Sequence, residues 1–408
     1  MMDRKSFMRG TLVGVLAMCL IFGAVFSGIK LFERFYAKSQ GIEHAAATGA
    51  ELDEKTKSKL GVISNLVDHY YLYEDEIDHN KQKEGVYEGF VASLGDPYSC
   101  YYDEEETMEL RERTTGEYCG IGAVLQEEKG GEMVHIINVY KNSPAERAGL
   151  KKDDLIYEVD GKDVAGIDLN EVVSWIRGEK GTEVTLSIYR EKQNGSYAEN
   201  EITVTRDVVE IQTVESKMLD GKIGYIYVSE FDNVTYEQYK ESLTKLNDAG
   251  ATGMIVDLRD NPGGNLETVC EMLDLMLPEG TVVYTEDKNG KREDYTSDEE
   301  HKYDKPVCVL VNGNSASASE IFAGAMQDYK AGKIVGKTTY GKGIVQQIID
   351  LKDGTSLKLT VSEYHTPNGR SIHKKGITPD IEVEQGEEDV FADPQNDAVL
   401  KRAIEELK

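Results

Sequence analysis

From Glu210 onward, short apolar segments alternate with segments of helical periodicity. The strand-like segments are Ile223–Val228, Gly253–Leu258 and Val307–Val311. The helical patterns cover Tyr236–Ala249, Leu266–Leu277 and Ala318–Tyr329. Strands that are apolar on both faces belong to sheets that are covered by helices, and their parallel neighbours need helical crossovers. We therefore predict an α/β region built on a mixed, partly parallel sheet.

The preceding segment, residues 116–208, has a different pattern, in which short strands alternate with Gly-rich turns. An amphipathic helix is predicted at Leu169–Ile176, and a hairpin is predicted from Glu183–Tyr189 and Glu201–Arg206. Upstream, helical spacing continues to Leu94 and ends at Gly95-Asp96-Pro97. A small strand-rich domain is thus expected between a helical segment and the α/β region.

The N-terminus carries an uncharged run, Gly10–Ile29, between charged flanks. About 20 residues at 1.5 Å each cover the ~30 Å hydrocarbon core of a bilayer. We predict an uncleaved membrane anchor, and the alternative is a signal peptide cleaved near Val25-Phe26-Ser27. Either segment predicts that the bulk of the chain lies outside the cytoplasm.

Charge and cysteine content narrow the classes of function. Asp and Glu number 75 against 46 Lys and Arg, for a net charge of −29, which argues against nucleic-acid binding. The five cysteines lack CxxC pairs and His/Cys spacings typical of zinc, which argues against a disulfide scaffold and a structural zinc module. We expect no metal and no cofactor.

A Ser-rich turn, Asn312–Glu320, joins the apolar strand Val307–Val311 to the next helix. Such a turn exposes a serine hydroxyl at a helix N-terminus, where free N–H groups can stabilise an oxyanion. The alternative is an ordinary N-capping turn. A nucleophilic serine also needs a base.

Lys342 is one candidate for the base. It lies between two glycines beside Tyr340 and an apolar strand, and burial there would keep its amine neutral. His365 and His373 are the alternatives, and they would make a Ser-His hydrolase acting on esters. The residues alone leave both possibilities open.

Two further glycine turns could bind ligands through bare N–H groups. Pro262-Gly263-Gly264 follows a buried strand. The pattern gives little support for nucleotide binding there, because no Walker lysine is present. Gly120-Ile121-Gly122 precedes a strand and pairs with the helix Leu169–Ile176, as in a pocket for a peptide C-terminus. An ordinary turn is the alternative at both places.

Together these segments resemble one family from about Leu60 to Val383. The chain is similar to the carboxyl-terminal processing peptidases (tail-specific proteases), which are serine endopeptidases with an inserted PDZ domain. The matching motifs are Leu94–Ser99, Asp257–Arg259, Pro262–Gly264, Ser315–Glu320, Gly341–Gly343, Val345–Gln347 and Thr366–Arg370. The resemblance implies a ClpP/crotonase-like mixed-sheet core. One departure is Asp260, which stands where the family commonly has asparagine.

The resemblance also implies the site residues. Ser317 would be the nucleophile, Lys342 the base and Gln346 the residue that orients the lysine. The backbone N–H groups of Gly264 and Ala318 would form the oxyanion hole. No metal takes part in this chemistry.

In the PDZ domain, the resemblance implies that Gly120, Ile121 and Gly122 bind the substrate's C-terminus. Arg177 would couple peptide docking to activation. If Ile121 and Val172 or Val173 line the pocket, small apolar C-terminal residues are favoured.

The expected domains are a membrane anchor (1–33), a linker (34–55), a helical segment (56–115), the PDZ domain (116–208), the peptidase core (209–385) and an acidic tail (386–408). The helical segment and the tail, which ends in the helix-like Ala398–Leu407, are where a homodimer would form. The expected function is that of a membrane-anchored, extracytoplasmic serine endopeptidase that recognises protein C-termini. The alternative is a membrane-tethered PDZ adaptor with an inactive peptidase fold.

Overall fold

The computed structural model describes residues 53–128, 130–298, 303–384 and 396–408. The predicted anchor at Gly10–Ile29 lies outside these residues. Within the described ranges, no helix is long and apolar enough to span a bilayer. The chain divides into two compact units, residues 1–82 and 83–408.

The described part of the first unit begins with helix α1 (Glu54–Tyr70), where Asp53 caps the N-terminus by accepting from the Thr56 N–H. A 3-10 turn follows at Glu74–Glu76. Four large apolar side chains of α1 are 40–54% exposed: Leu60, Val62, Ile63 and Leu66. This helix therefore leaves an apolar surface uncovered.

Three elements precede the strand-rich region: helix α2 (His79–Ala92), strand β1 (Cys100–Tyr102) and helix α3 (Glu104–Thr115). Asp103 and Glu106 form a capping box that starts α3. Gly116 ends α3 with a φ of 71°, a left-handed conformation that favours glycine.

The strand-rich region has an apolar core of its own around Ile136, Ile156 and Leu186. Its elements are β2 (Glu117–Gly120), β3 (Ala123–Glu127), β4 (Val134–Val139), α4 (Pro144–Ala148), β5 (Leu155–Val159), β6 (Lys162–Asp163), α5 (Leu169–Ile176), β7 (Glu183–Glu191), β8 (Tyr197–Thr205) and β9 (Asp207–Glu210). The main sheet is antiparallel with the order β3-β4-β5-β7-β8, and β6 pairs with β5. Strands β2 and β9 pair with each other where the region begins and ends. The predicted helix and hairpin are both confirmed.

The remaining residues form two sheets and four helices in the described ranges. The elements are β10 (Val214–Leu219), β11 (Ile223–Val228), α6 (Thr235–Asp248), β12 (Gly253–Asp257), α7 (Leu266–Asp274), β13 (Gly280–Asp287), β14 (Arg292–Ser297), β15 (Val307–Val311), α8 (Ala318–Asp328), β16 (Lys333–Gly336), β17 (Ile344–Asp350), β18 (Ser356–His365), β19 (Ile381–Glu382) and α9 (Ala398–Glu406). One sheet has the order β10-β11-β12-β15-β16-β19 and is parallel except for the β10–β11 pair. The other is antiparallel, with β1, β13 and β17 pairing with β18 and β14 pairing with β13.

Both faces of the partly parallel sheet are covered, as the apolar strands predict. Every residue of β12 and β15 is buried. Helices α6, α7 and α8 contribute to the larger apolar core, while α9 packs Val399, Leu400 and Ala403 on a smaller cluster. Helix α9 lies in the segment expected to be an acidic tail. The hairpin β13–β14 falls where the sequence predicted no element.

Helix α9 is held by a buried ion-pair network as well as by apolar contacts. Asp397 caps α9 by accepting from the Leu400 N–H at 2.8 Å. Its carboxylate also receives two bonds from Arg259, which contacts Asp257 in addition. This network ties α9 to the loop that follows β12.

Candidate active site

Ser317 lies at the junction between the turn after β15 and the first residue of α8. Its φ is 54° and its ψ is −114°, a conformation that costs a non-glycine residue about 1–3 kcal/mol. Buried hydrogen bonds hold the turn: Ser315 Oγ donates to Leu258 O at 2.7 Å, and Ser319 Oγ donates to Asn261 O at 3.0 Å. The surrounding structure thus imposes a strained backbone at this serine.

The Pro-Gly-Gly turn packs directly against Ser317. A Cβ on Gly263 would lie 2.7 Å from Ser317 Cβ and 2.9 Å from the Ala318 nitrogen, so only glycine permits this approach. A Cβ on Gly264 would lie 2.3 Å from Phe231 O. Within the described residues, neither the Gly264 N–H nor the Ala318 N–H donates to a protein acceptor. Both donors are therefore available to a ligand.

Glu320, in the first turn of α8, joins the serine turn to the lysine loop. Its fully buried carboxylate accepts from the backbone N–H of Ser317 at 2.9 Å and of Lys342 at 2.8 Å, both at Oε2. Oε1 accepts from the Gly341 N–H at 2.7 Å and from Thr339 Oγ1 at 2.5 Å. Four donors offset the cost of burying this group. Because two backbone nitrogens share one oxygen atom, Ser317 and Lys342 are held within a few ångströms of each other.

Tyr364 on β18 makes a second connection between the same two loops. Its buried hydroxyl lies 3.0 Å from Ser317 O and 2.5 Å from Lys342 O. Burial, and then the nearby Glu320, raise the pKa of Tyr364 well above its usual range, so the hydroxyl keeps its proton. Its single proton can therefore be donated to one of these two carbonyl oxygens at neutral pH.

Lys342 is half-buried at the end of the loop before β17. Burial, assisted by Lys358, lowers the pKa of its amine, while Asp96 and Glu320 oppose that change. Lys342 Nζ lies 4.9 Å from the centroid of the Tyr98 ring. Across the described residues, no hydrogen bond joins Lys342 Nζ to Ser317 Oγ.

The other candidate residues of the site are Gln346, His365 and His373. Gln346 on β17 donates to Thr360 Oγ1 at 3.3 Å. The ring of His365 stacks on Tyr284, and the backbone of His373 lies against Gly343. In the described part of the chain, no hydrogen bond joins either imidazole to Ser317.

In the strand-rich region, the Gly120-Ile121-Gly122 loop is built against α4. Ala145 N–H donates to Ile121 O at 2.7 Å, and Ile121 packs in the same apolar cluster as Val172 of α5. Arg177, at the end of α5, does not join this loop by a hydrogen bond. Its guanidinium donates to Glu112 Oε2 at 2.6 Å and lies 5.0 Å from the Tyr118 ring centroid.

Sequence reasoning assigned no role to Glu320 or Tyr364. Glu320 stands three residues after Ser317, a spacing that predicts only a capping box. The sequence pattern around Tyr364 predicts no role for it. Among the described residues, no group of three or more His, Cys, Asp or Glu side chains is arranged to hold a metal ion.

Comparison with known proteins identifies the family. A profile described as Peptidase family S41 matches residues 222–383, a PDZ domain profile matches residues 135–190, and a profile described as the activating protease CtpB N-terminal domain matches residues 18–107. Carboxy-terminal processing protease CtpA of Bacillus subtilis (strain 168) is 37% identical over 366 residues, which cover 90% of this chain and 76% of that protein. The chain belongs to the carboxyl-terminal processing peptidase family.

A second relative agrees with this assignment. Carboxy-terminal processing protease CtpB of the same organism is 35% identical over 372 residues, covering 90% of this chain and 76% of that protein. A solved structure titled photosystem II D1 C-terminal processing protease is 29% identical, covers 78% of this chain and 86% of its own, and has a TM-score of 0.46. The predicted family is confirmed, and so is an α/β peptidase with a PDZ domain.

Proposed function

We propose that this carboxyl-terminal processing peptidase cleaves peptide bonds with Ser317 as the nucleophile and Lys342 as the general base. The observation that carries the proposal is the buried Glu320 carboxylate, because one of its oxygen atoms accepts the backbone N–H groups of both residues. Burial also lowers the pKa of the Lys342 amine, which enlarges the neutral fraction that a base requires.

In the proposed reaction, the neutral Lys342 amine takes the Ser317 hydroxyl proton as the oxygen attacks the substrate carbonyl carbon. The resulting oxyanion accepts hydrogen bonds from the free N–H groups of Gly264 and Ala318. The tetrahedral intermediate collapses, the lysine gives its proton to the leaving amine, and an acyl-enzyme remains. Water then attacks the ester while Lys342 takes its proton. The bond between the acyl carbon and Ser317 Oγ breaks, the peptide leaves as a carboxylic acid, and Lys342 returns the proton to Ser317.

Gln346 orients the lysine in this proposal. Its amide is bonded to Thr360 Oγ1. The proposal therefore requires the amide to exchange that partner for Lys342 during turnover.

The PDZ domain selects substrates by their C-terminal residues. An extended tail adds to β3 beside α5, and the Gly120-Ile121-Gly122 loop binds the terminal carboxylate. Ile121 and Val172 favour a small apolar last residue. Arg177 couples docking to activation, which requires its ion pair with Glu112 to break.

The catalytic part lies outside the cytoplasm in this proposal, tethered by the apolar run Gly10–Ile29. The charged flanks and length of that run support an anchor. Homodimer formation is supported by the apolar side chains that α1 leaves exposed. Sodium carbonate extraction of membranes tests the anchor, since an anchored chain stays in the pellet while a cleaved, secreted one does not. Light scattering of the soluble part tests the dimer.

The decisive experiment compares the wild-type chain with Ser317→Ala and Lys342→Ala on unfolded substrates that differ only in their last residues. We expect cleavage by the wild type alone, and slower cleavage of substrates with amidated C-termini. A serine-directed fluorophosphonate probe should label the wild type and fail to label Ser317→Ala.

Two experimental results would contradict this proposed function and identify an alternative one. Peptide binding without turnover, unaffected by Ser317→Ala, would identify an inactive adaptor. Full activity in Lys342→Ala together with loss in His373→Ala or His365→Ala would identify a Ser-His hydrolase.

A further inference from the structure

The Leu94–Ser99 motif between α2 and β1 has no part in the function described so far. Asp96 organises this loop by accepting from Ser99 Oγ at 2.6 Å and from the Tyr98 N–H at 3.0 Å. Ser99 Oγ in turn accepts from the Thr360 N–H on β18 at 3.1 Å. The loop is therefore fixed to the sheet that also carries β17 and Gln346.

This anchoring places the Tyr98 ring over the Lys342 amine, with Nζ 4.9 Å from the ring centroid. A cation above an aromatic face is attracted by the quadrupole of the ring, and a neutral amine does not experience that charge-dependent attraction. Interaction with Tyr340, followed by burial, raises the pKa of Tyr98, so the phenol stays neutral and keeps an ordinary aromatic face. The ring thus discriminates between the two protonation states of Lys342.

Other charged groups face the same amine. Lys358 and burial favour the neutral form, whereas Asp96 and Glu320 favour the ammonium. Asp96 acts through its charge, while Tyr98 acts through contact with the amine itself. The described part of the chain shows no hydrogen bond between Lys342 and Ser317 in this arrangement.

We propose that Tyr98 is a positioning residue for Lys342, whose ring holds the ammonium form in a resting position away from Ser317. Loss of the proton removes the attraction, and the amine becomes free to turn to the serine hydroxyl. This inference rests on the proposed role of Lys342 as the base. It assigns the motif before the PDZ domain to the catalytic site of the peptidase core.

The test measures the protonation of Lys342 without turnover. The full chain is labelled with trace acetic anhydride over a series of pH values, and acetylation of the Lys342 peptide is quantified by mass spectrometry. Tyr98→Leu and Tyr98→Met keep an apolar cover but remove the aromatic face, so the labelling midpoint should fall by about 0.5–1 pH unit. Tyr98→Phe keeps the face, and its midpoint should match the wild type.

Tyr197→Leu, a change at an exposed tyrosine on β8, serves as the matched control and should leave the midpoint unchanged. Thermal unfolding identifies any variant that fails to fold, and two aliphatic variants are used so that one can replace the other. The proposal is overturned by a midpoint that does not fall in the folded aliphatic variants, or that falls equally in Tyr98→Phe. Failure of the proposed function is a separate result, namely peptidase activity that survives Lys342→Ala.

Discussion

Replacing Glu320 by Gln tests whether one buried carboxylate holds the two halves of the catalytic site together. The two side chains have nearly the same shape, so the change leaves packing intact. Each Glu320 oxygen accepts two hydrogen bonds. An amide NH₂ in place of Oε2 would face two backbone N–H donors and accept from neither. In place of Oε1 it would face the Gly341 N–H, while the Thr339 hydroxyl can turn and accept from it.

The number of hydrogen bonds lost sets the size of the expected change in free energy. A bond to a charged group contributes about 1.5–3 kcal/mol, so losing one or two of these bonds costs about 1.5–6 kcal/mol, shared between folding and catalysis. We expect the free energy of unfolding to fall by about 3 kcal/mol. Because a displacement of about 1 Å in a catalytic group can cost 100-fold in rate, we expect acylation to slow about 100-fold.

The pH dependence separates a loss of stability from a loss of charge. The Glu320 charge raises the pKa of the Lys342 amine, so the glutamine variant should lower that pKa further. With Lys342 as the proposed base, activity requires the neutral amine and is expected to rise with pH through this pKa. The acidic limb of the profile of kcat/KM against pH should move to lower pH in the variant. The plateau value of kcat/KM should fall at the same time.

The assay is stopped-flow acylation with a fluorophosphonate probe, combined with urea unfolding. Glu106→Gln is the matched control, because Glu106 closes an exposed capping box on α3 and bonds a single backbone N–H. That variant should lose less than about 1 kcal/mol and keep its activity. Acylation by Glu320→Gln within threefold of the wild type, with an unmoved acidic limb, would refute the reasoning.

The other predictions concern single buried groups. Tyr364→Phe removes the hydroxyl that contacts Lys342 O. A hydrogen bond contributes about 0.5–1.5 kcal/mol, so acylation should slow up to about tenfold, and an unchanged rate would contradict a role for this contact. Burial raises the pKa of Asp232 to about 7, so its neutral form stabilises the fold below about pH 4 and that contribution is lost as pH rises towards 7. Asp232→Asn should therefore flatten the dependence of unfolding free energy on pH across this interval, and urea titrations at several pH values check it. Asp397→Leu removes the cap of α9 and one of the two carboxylates that bind Arg259, which keeps Asp257, so it should cost about 1–3 kcal/mol, with faster hydrogen exchange in α9. Equal exchange would contradict the role given to this ion pair.

The PDZ region and the sheet strands were predictable because their signals are local. Alternation of apolar residues, helical spacing and glycine turns act within a few residues, and the helix at Leu169–Ile176 was predicted with the bounds it has. The hairpin β13–β14 was missed because its strands are amphipathic and partly exposed. Its place is decided by pairing with β18, far along the chain.

The residues of the candidate site also divide into those predicted from local sequence patterns and those that were missed. A Ser-rich turn before a helix and a lysine between two glycines are properties of short segments, so both segments could be singled out locally. The choice of Ser317 and Lys342 within them came from the resemblance to the family. The functional contacts of Glu320 span 21 and 22 residues, and those of Tyr364 reach 47 residues back to Ser317. No local pattern encodes which distant backbone groups a buried carboxylate or hydroxyl will meet. The sequence by itself therefore determined which chemical groups are present and which elements carry them, whereas packing of the two sheets decided which groups share a hydrogen-bond partner.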